Sequence, residues 1–183
     1  MLESHFLTKH ENCAGFMAEG VHHIDRAPGI LITTLGPGAM NCVNVVANAY
    51  QDRVPLIVLT GQIDADEALT YRHQVVDHKA IFTPITKGSF SLTPAGVDTI
   101  ADKAIALSTR PRQGPIHINV PTSKANSTAI RLANRQQICI SPTSPTAPNG
   151  PNLSLAQQWL SQSVQPIALI GLDVLHDQSA EVV

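Results

Sequence analysis

Two short stretches of this sequence carry residue types that could do chemistry. Lys9-His10-Glu11 opens a helical pattern and puts a carboxyl in its first turn, and Gly36-Pro37-Gly38 makes a turn almost bare of side chains, with Asn41 just beyond it. Glycine lets a ligand or another backbone approach closely, and Pro37 is preset for the first turn of a helix. On position alone, the plain structural reading of both is the stronger one. The helix dipole favours a carboxylate in a first turn, and a Gly-Pro turn commonly does no more than open a helix. Other arrangements fail on spacing. His10-Glu11 lacks a second histidine at the position of Ala14, as a zinc-protease motif requires. His22 and His23 are adjacent, so they leave a helix on different sides and read as solvated. Gly36-x-Gly38 lacks the third glycine of a dinucleotide fingerprint. Asp64, Asp66 and Glu67 read as a solvated acidic loop, and no Ser-His-Asp set can be assigned.

The elements around these residues alternate between strand and helix. His5 to Thr8 is a short strand candidate. Glu11 to Arg26 reads as a helix whose apolar face is Ala14, Met17, Ala18 and Val21. Ile30 to Thr34 is a β-branched run without polar alternation, which suits a strand buried on both faces. A helix from Ala39 to Gln51 and a strand from Pro55 to Thr60 follow, with Pro55 tolerated because it opens the strand. Thr93-Pro94 reads as the start of a helix running to about Ser108, and Ile116 to Val120 as a further strand. The pattern predicts an α/β fold with a doubly wound, mostly parallel sheet. From Thr122 the texture changes. Pro142, Pro145, Pro148 and Pro151 recur every third residue, the period of an extended polyproline segment. Leu153 to Ser163 then reads as a helix and Pro166 to Gly171 as a strand, the beginning of a second α/β domain.

Composition excludes several classes of function. The chain has 183 residues, 43% of them hydrophobic, with a net charge of −2. That balance argues against a nucleic-acid or membrane-surface partner, and no apolar run has the length of a membrane span. Three cysteines without Cys-x-x-Cys spacing fit a reducing compartment. A cytoplasmic protein is the expectation.

"KHENCAGFMAEG", "TLGPGAMN", "AYQDRVPLIVLTG", "HQVVDH", "PITK" and "GPIHINVP" stand here in an order and spacing that resembles the pyrimidine-binding domain of thiamine diphosphate enzymes, with the greatest similarity to acetolactate synthase large subunits. The resemblance covers about Phe6 to Pro121. It implies that Gly36, Pro37 and Gly38 lie against the aminopyrimidine of the cofactor, with Asn41 and Gln74 beside it. It assigns the catalytic role to Glu11, whose carboxyl would share a proton with the pyrimidine ring and so promote loss of the thiazolium proton. A partly desolvated site that raises the carboxyl's pKa toward that of its partner would strengthen this bond.

The resemblance further implies a 2-oxo acid substrate such as pyruvate and a carboligase (transferase) or decarboxylase reaction. Magnesium would be required, with ligands from a diphosphate-binding domain not found in this sequence, so no metal ligand is expected here. FAD is left open through Arg112, although Arg112-Gln113-Gly114-Pro115 replaces the family's Arg-Pro-Gly-Pro. His73-Gln74-Val75 likewise replaces Phe-Gln-Glu, and Thr122-Ser123 replaces Lys-Asp. The expected organisation is a pyrimidine-binding domain over 1–121 lacking its first βα unit, a Pro/Ser/Thr-rich linker over 122–152, and an incomplete central domain over 153–183. Such a chain would hold half a cofactor site and be inactive alone. It would work in a homo- or hetero-oligomer with a chain carrying the diphosphate-binding domain. The alternative is a non-catalytic remnant or partner-binding module.

Overall fold

The computed structural model describes residues 5–70, 72–125, 127–128, 149–167, 169 and 171. The chain divides into two compact units, Met1–Ile140 and Ser141–Val183. In the first, the elements run α1 (Glu11–Asp25), β1 (Gly29–Thr33), α2 (Pro37–Asn41), α3 (Val43–Gln51), β2 (Leu56–Gln62), α4 (His78–Phe82), β3 (Ser89–Ser91), α5 (Val97–Thr109), β4 (Ile116–Pro121) and the short α6 (Thr122–Ala125). In the second unit, α7 spans Pro151–Gln162.

The four strands form one all-parallel sheet in the order β1-β2-β4-β3. Strand periodicity divides its residues between two faces. Leu31, Leu56 and Val58 pack with Ala18 of α1, Val45, Val46 and Ala49 of α3, and Phe82 of α4. Ile57, Leu59 and Ile118 point the other way, onto Ile100, Ala104 and Leu107 of α5. Each fully buried Val, Leu or Phe contributes about 1.5–3 kcal/mol, so these two layers hold the sheet between its helices. The α/β architecture with a parallel sheet is therefore as expected.

Several local expectations are corrected. His5 to Thr8 is not in a strand, and the α5 helix starts at Val97 because Thr93 to Gly96 forms a turn closed by the Gly96 N–H on the Thr93 carbonyl. The helix expected from Ala39 to Gln51 is two helices broken at Cys42, whose N–H donates to Ala39 rather than one residue further back. Strand β1 is buried on one face only. Ile30 and Ile32 remain exposed because β1 is an edge strand and α5 covers β2 and β4. Most of the proline-rich stretch, residues 141–148, lies outside the described residues. So do two positions of the strand expected from Pro166 to Gly171, and the described remainder carries no strand.

The buried face of α1 also differs from the expected one. Gly15, Ala18, Glu19 and His22 are buried, while Met17 is 51% exposed and Val21 40%. Helix α1 is apolar on two sides, and tertiary contact rather than periodicity selects which side turns inward. Gly15 decides it, because a Cβ there would come 2.2 Å from Val45 Cγ1. Gly29 acts similarly at the start of β1, where a Cβ would meet the Ala18 carbonyl oxygen at 2.0 Å.

Two consequences can be measured. Gly15→Ala should destabilise the chain by roughly 1–3 kcal/mol through overpacking of α1 on α3, read as a lower denaturation midpoint with an unchanged slope. The second concerns acid. His117 is fully buried and stacks on Phe82, with ring centroids 4.4 Å apart. Burial, then the neighbouring His78, push its pKa from 6.5 to about 3. The unfolded chain takes up this proton first. Stability from the neutral ring is thus complete above pH 6.5 and lost as pH falls toward 3, by on the order of a few kcal/mol. Acid titration of His117→Phe should show a smaller loss across that window.

Candidate functional site

The carboxyl end of the sheet assembles the residues that sequence reasoning singled out. His10 caps α1 by accepting the Asn12 N–H on Nδ1, which leaves Glu11 as the first helical residue. Helix α1 packs against β1, α2 and α3, and this brings Glu11 to the turn that follows β1. Asn41 Nδ2 donates to Glu11 Oε2 at 3.0 Å across 30 residues of sequence. Glu11 Oε1 lies 3.1 Å from where a Cβ on Gly38 would stand.

The turn is held tightly. Gly36 has φ 58, a conformation that disfavours any side chain, and a Cβ there would fall 2.7 Å from Gln74 Cβ. At Gly38 a Cβ would meet Thr34 Cγ2 at 2.3 Å. Pro37 occupies the first turn of α2. Gln74 itself has φ 61, an uncommon backbone state for a residue with a side chain. Glu11, Gly36, Pro37, Gly38, Asn41 and Gln74 are thus gathered in one region. An open cavity of about 400 Å³ beside Gln74 is lined by Gln62, Ile63, Ala65, Ala68 and residues 74–78. Glu11 is not part of its wall.

The electrostatics of Glu11 depart from expectation. Its pKa is lowered, chiefly by the Asn41 hydrogen bond and then by a backbone N–H of its own helix turn, while desolvation is the weaker opposing influence. The carboxyl is open to solvent in this chain, so the raised value expected of a desolvated site is absent here. Glu19, about two turns further along α1, shows the reverse: burial raises it, with Asn48 Nδ2 near both carboxylate oxygens at 3.3 and 3.4 Å. Asp64, expected to be merely solvated, accepts from the Thr122 hydroxyl and from the Ser123 N–H and hydroxyl, fastening α6 to the end of β2. His22, also read as solvated, is buried.

Sequence reasoning missed His78. It is the first residue of α4, whose N-cap Asp77 accepts the Ala80 N–H at 2.9 Å. Its Nε2 accepts the Gly36 N–H at 3.2 Å, and its Nδ1 meets Thr60 Oγ1 at 3.2 Å. An isolated histidine in an irregular stretch carries no periodic signal, so only the fold could bring it under the turn. Among the described residues, no group of three His, Cys, Asp or Glu is gathered as a metal cluster. No described helix is long and apolar enough to cross a membrane.

The Asn41 bond gives a direct test. It favours the ionised carboxylate, so its stabilising effect is present above the ordinary glutamate range and disappears as pH falls through the depressed Glu11 value. Asn41→Ala should move the Glu11 carboxyl titration upward, read by carbon NMR of the side chain.

Comparison with known proteins agrees with this geometry. Residues 3–81 match the family model of the thiamine pyrophosphate enzyme, N-terminal TPP binding domain. Acetolactate synthase isozyme 1 large subunit of Escherichia coli is 30% identical over 173 residues, covering 94% of this chain and 30% of that protein. A probable acetolactate synthase large subunit of Methanocaldococcus jannaschii is 36% identical over 118 residues, 64% of this chain and 20% of that protein. A probable 2-ketoarginine decarboxylase of Pseudomonas aeruginosa is 33% identical over 121 residues, 64% of this chain and 22% of that protein. The chain therefore spans between 20% and 30% of the length of these relatives. With the fold and these matches together, the chain carries an N-terminal domain of the thiamine pyrophosphate (thiamine diphosphate) enzyme type, matched over residues 3–81 and like that of acetolactate synthase large subunits.

Proposed function

We propose that this chain supplies the aminopyrimidine half of a thiamine diphosphate site in an enzyme that joins or cleaves carbon bonds next to a 2-oxo group. The observation that carries the reading is the convergence of Glu11, Asn41 and the Gly36-Pro37-Gly38 turn at one sheet edge. The residues fit the pyrimidine on two counts. Side chains at Gly36 or Gly38 would run into Gln74 or Thr34, so the bare turn is what lets these residues and Glu11 stand close enough together to address one flat ring. Beside the turn stands a carboxylate already oriented by an amide donor, suited to a weakly basic ring nitrogen.

The role of each residue follows from its chemistry. Glu11 holds or yields a proton at its carboxyl, and Asn41 orients it. A hydrogen bond with an ionised partner is roughly twice as strong as a neutral one. A bound ring would also displace water from Glu11, and desolvation acts to raise its pKa toward proton sharing. Gly36, Pro37, Gly38 and Gln74 give shape and exclude water from one side of the ring. When bound, thiamine diphosphate supplies a nucleophilic carbon that stabilises the charge left by decarboxylation of a 2-oxo acid. Pyruvate is the substrate proposed, since acetolactate synthase large subunits and a probable 2-ketoarginine decarboxylase are among the relatives.

The cofactor's diphosphate carries most of its charge, and magnesium, as a hard cation, needs oxygen ligands. We assign those ligands, and the second half of the site, to a diphosphate-binding domain outside the described residues, on a partner chain in a homo- or hetero-oligomer. The domain division we favour is a pyrimidine-binding domain over 1–121, a linker over 122–152, and the beginning of a central domain from 153. The described residues alone should bind the cofactor weakly, because a few hydrogen bonds and one ring contact must offset the entropy of immobilising it.

The decisive variant is Glu11→Gln in an assembly that supplies the diphosphate site. It keeps size and hydrogen bonding but removes proton sharing. Hydrogen–deuterium exchange at the thiazolium carbon should fall by about 10²–10⁴-fold, while calorimetric cofactor affinity changes little. Unchanged exchange in that variant would sink the assignment. So would tight, magnesium-dependent binding by the present chain alone.

A further inference from the structure

A chain of buried polar groups runs beneath the sheet edge from β3 to the Gly36 turn. Ser89 Oγ lies 2.8 Å from His117 Nδ1, and His117 Nε2 lies 2.9 Å from Thr60 Oγ1. Thr60 Oγ1 also meets Asn119 Oδ1 at 3.1 Å and His78 Nδ1 at 3.2 Å, and His78 Nε2 meets the Gly36 N–H at 3.2 Å. Thr60, His78, His117 and Asn119 are all buried. Buried polar groups left without partners are costly, so the protons must be placed to satisfy every contact.

With the Asn119 amide oxygen turned to Thr60, only one arrangement does so with both rings neutral. The Gly36 N–H can only donate, so His78 Nε2 is bare and its proton sits on Nδ1, donating to Thr60. The Asn119 oxygen can only accept, so it takes the single Thr60 proton. His117 must then donate to Thr60 from Nε2, which leaves its Nδ1 bare to accept from Ser89. The two imidazoles are locked in opposite tautomers. Burial depresses the pKa of each ring, in keeping with neutral imidazoles.

We propose that His78 is a positioning residue for the Gly36-Pro37-Gly38 turn: as the neutral Nδ1–H tautomer, relayed through Thr60 to His117 and Ser89, it holds the Gly36 N–H and fixes the turn against Gln74 and Glu11. Gly36 needs such a hold because its positive φ is one of several states open to glycine. Its carbonyl is held on the other side by the Met40 N–H at 3.1 Å, so the His78 bond to its N–H completes the choice of the state that places Gly38 beside Glu11. The value of the hold for cofactor binding rests on the function proposed above; the proton arrangement does not.

Nitrogen-15 NMR of the whole labelled chain reads the tautomers directly. His78 should show a protonated Nδ1 and a bare Nε2, His117 the reverse, and both should be neutral at pH 7. Like tautomers in the two rings, or a charged His78 at pH 7, would overturn the proposal. His78→Leu should raise hydrogen exchange at the Gly36 amide at least tenfold while Val58 and Ile118 change less than twofold. His78→Gln, whose side-chain oxygen can accept the same N–H, should restore most of the protection. Unchanged Gly36 exchange in His78→Leu would also overturn it, and should that variant not fold, the wild-type tautomers decide. None of these readouts involves the cofactor, so the proposal can fail while Glu11 keeps its role, and the reverse.

Discussion

The site depends on how closely the backbone of α1 can approach its neighbours. Side chains normally keep helices and strands about 8–10 Å apart. Two bare positions relax that limit here. Gly15 lets α1 settle onto Val45 of α3, and Gly29 brings the first residue of β1 against the Ala18 carbonyl. Glu11 lies one turn before Gly15, so the same approach carries its carboxyl to Asn41 and Gly38. The acidic residue is placed by packing 4–18 residues away in the chain. Interior density transmits such shifts because a packed core has little free volume to absorb them.

Under the turn, the structure uses polar groups where aliphatic ones would pack. Thr60, His117 and Asn119 lie on the same sheet face as Val58 and under Phe82 of α4. Such a cluster is tolerable only when complete, since each orphaned group would cost about 1–3 kcal/mol. In return it is directional, which dispersion contacts are not. A layer of leucines would fill the space without telling the Gly36 peptide which way to face. The hydroxyl–imidazole chain ties that orientation to β2, β3 and β4 of the sheet.

The outer side of α1 has a different character. Phe16 and Met17 are about half exposed, and Ile24, at the far end of the helix from Glu11, is 83% exposed. Exposed apolar surface of this kind marks a place where another surface can pack. The openness of Glu11 belongs to the same picture. Its pKa lies low in this chain because the Asn41 amide and then its own backbone N–H favour the carboxylate, with little desolvation to oppose them.

The sequence by itself determined the alternation of strand and helix and the parallel α/β class. These are local facts, an apolar run between turn residues and a proline after a glycine, whereas the six candidate site residues came from the resemblance of whole motifs, position alone favouring a plain structural reading. The sequence could not decide between the two apolar sides of α1, because periodicity reports that a face exists and not which neighbour it meets. Nor could it show that Ile30 and Ile32 stay exposed, since burial of a strand depends on how far α5 reaches across the sheet. His78 was illegible for the same reason. Its importance lies in a hydrogen bond to a residue 42 positions away, and a lone histidine has no pattern of its own. The tertiary structure decided these points because each depends on distances between segments remote in sequence, which only the folded sheet brings together.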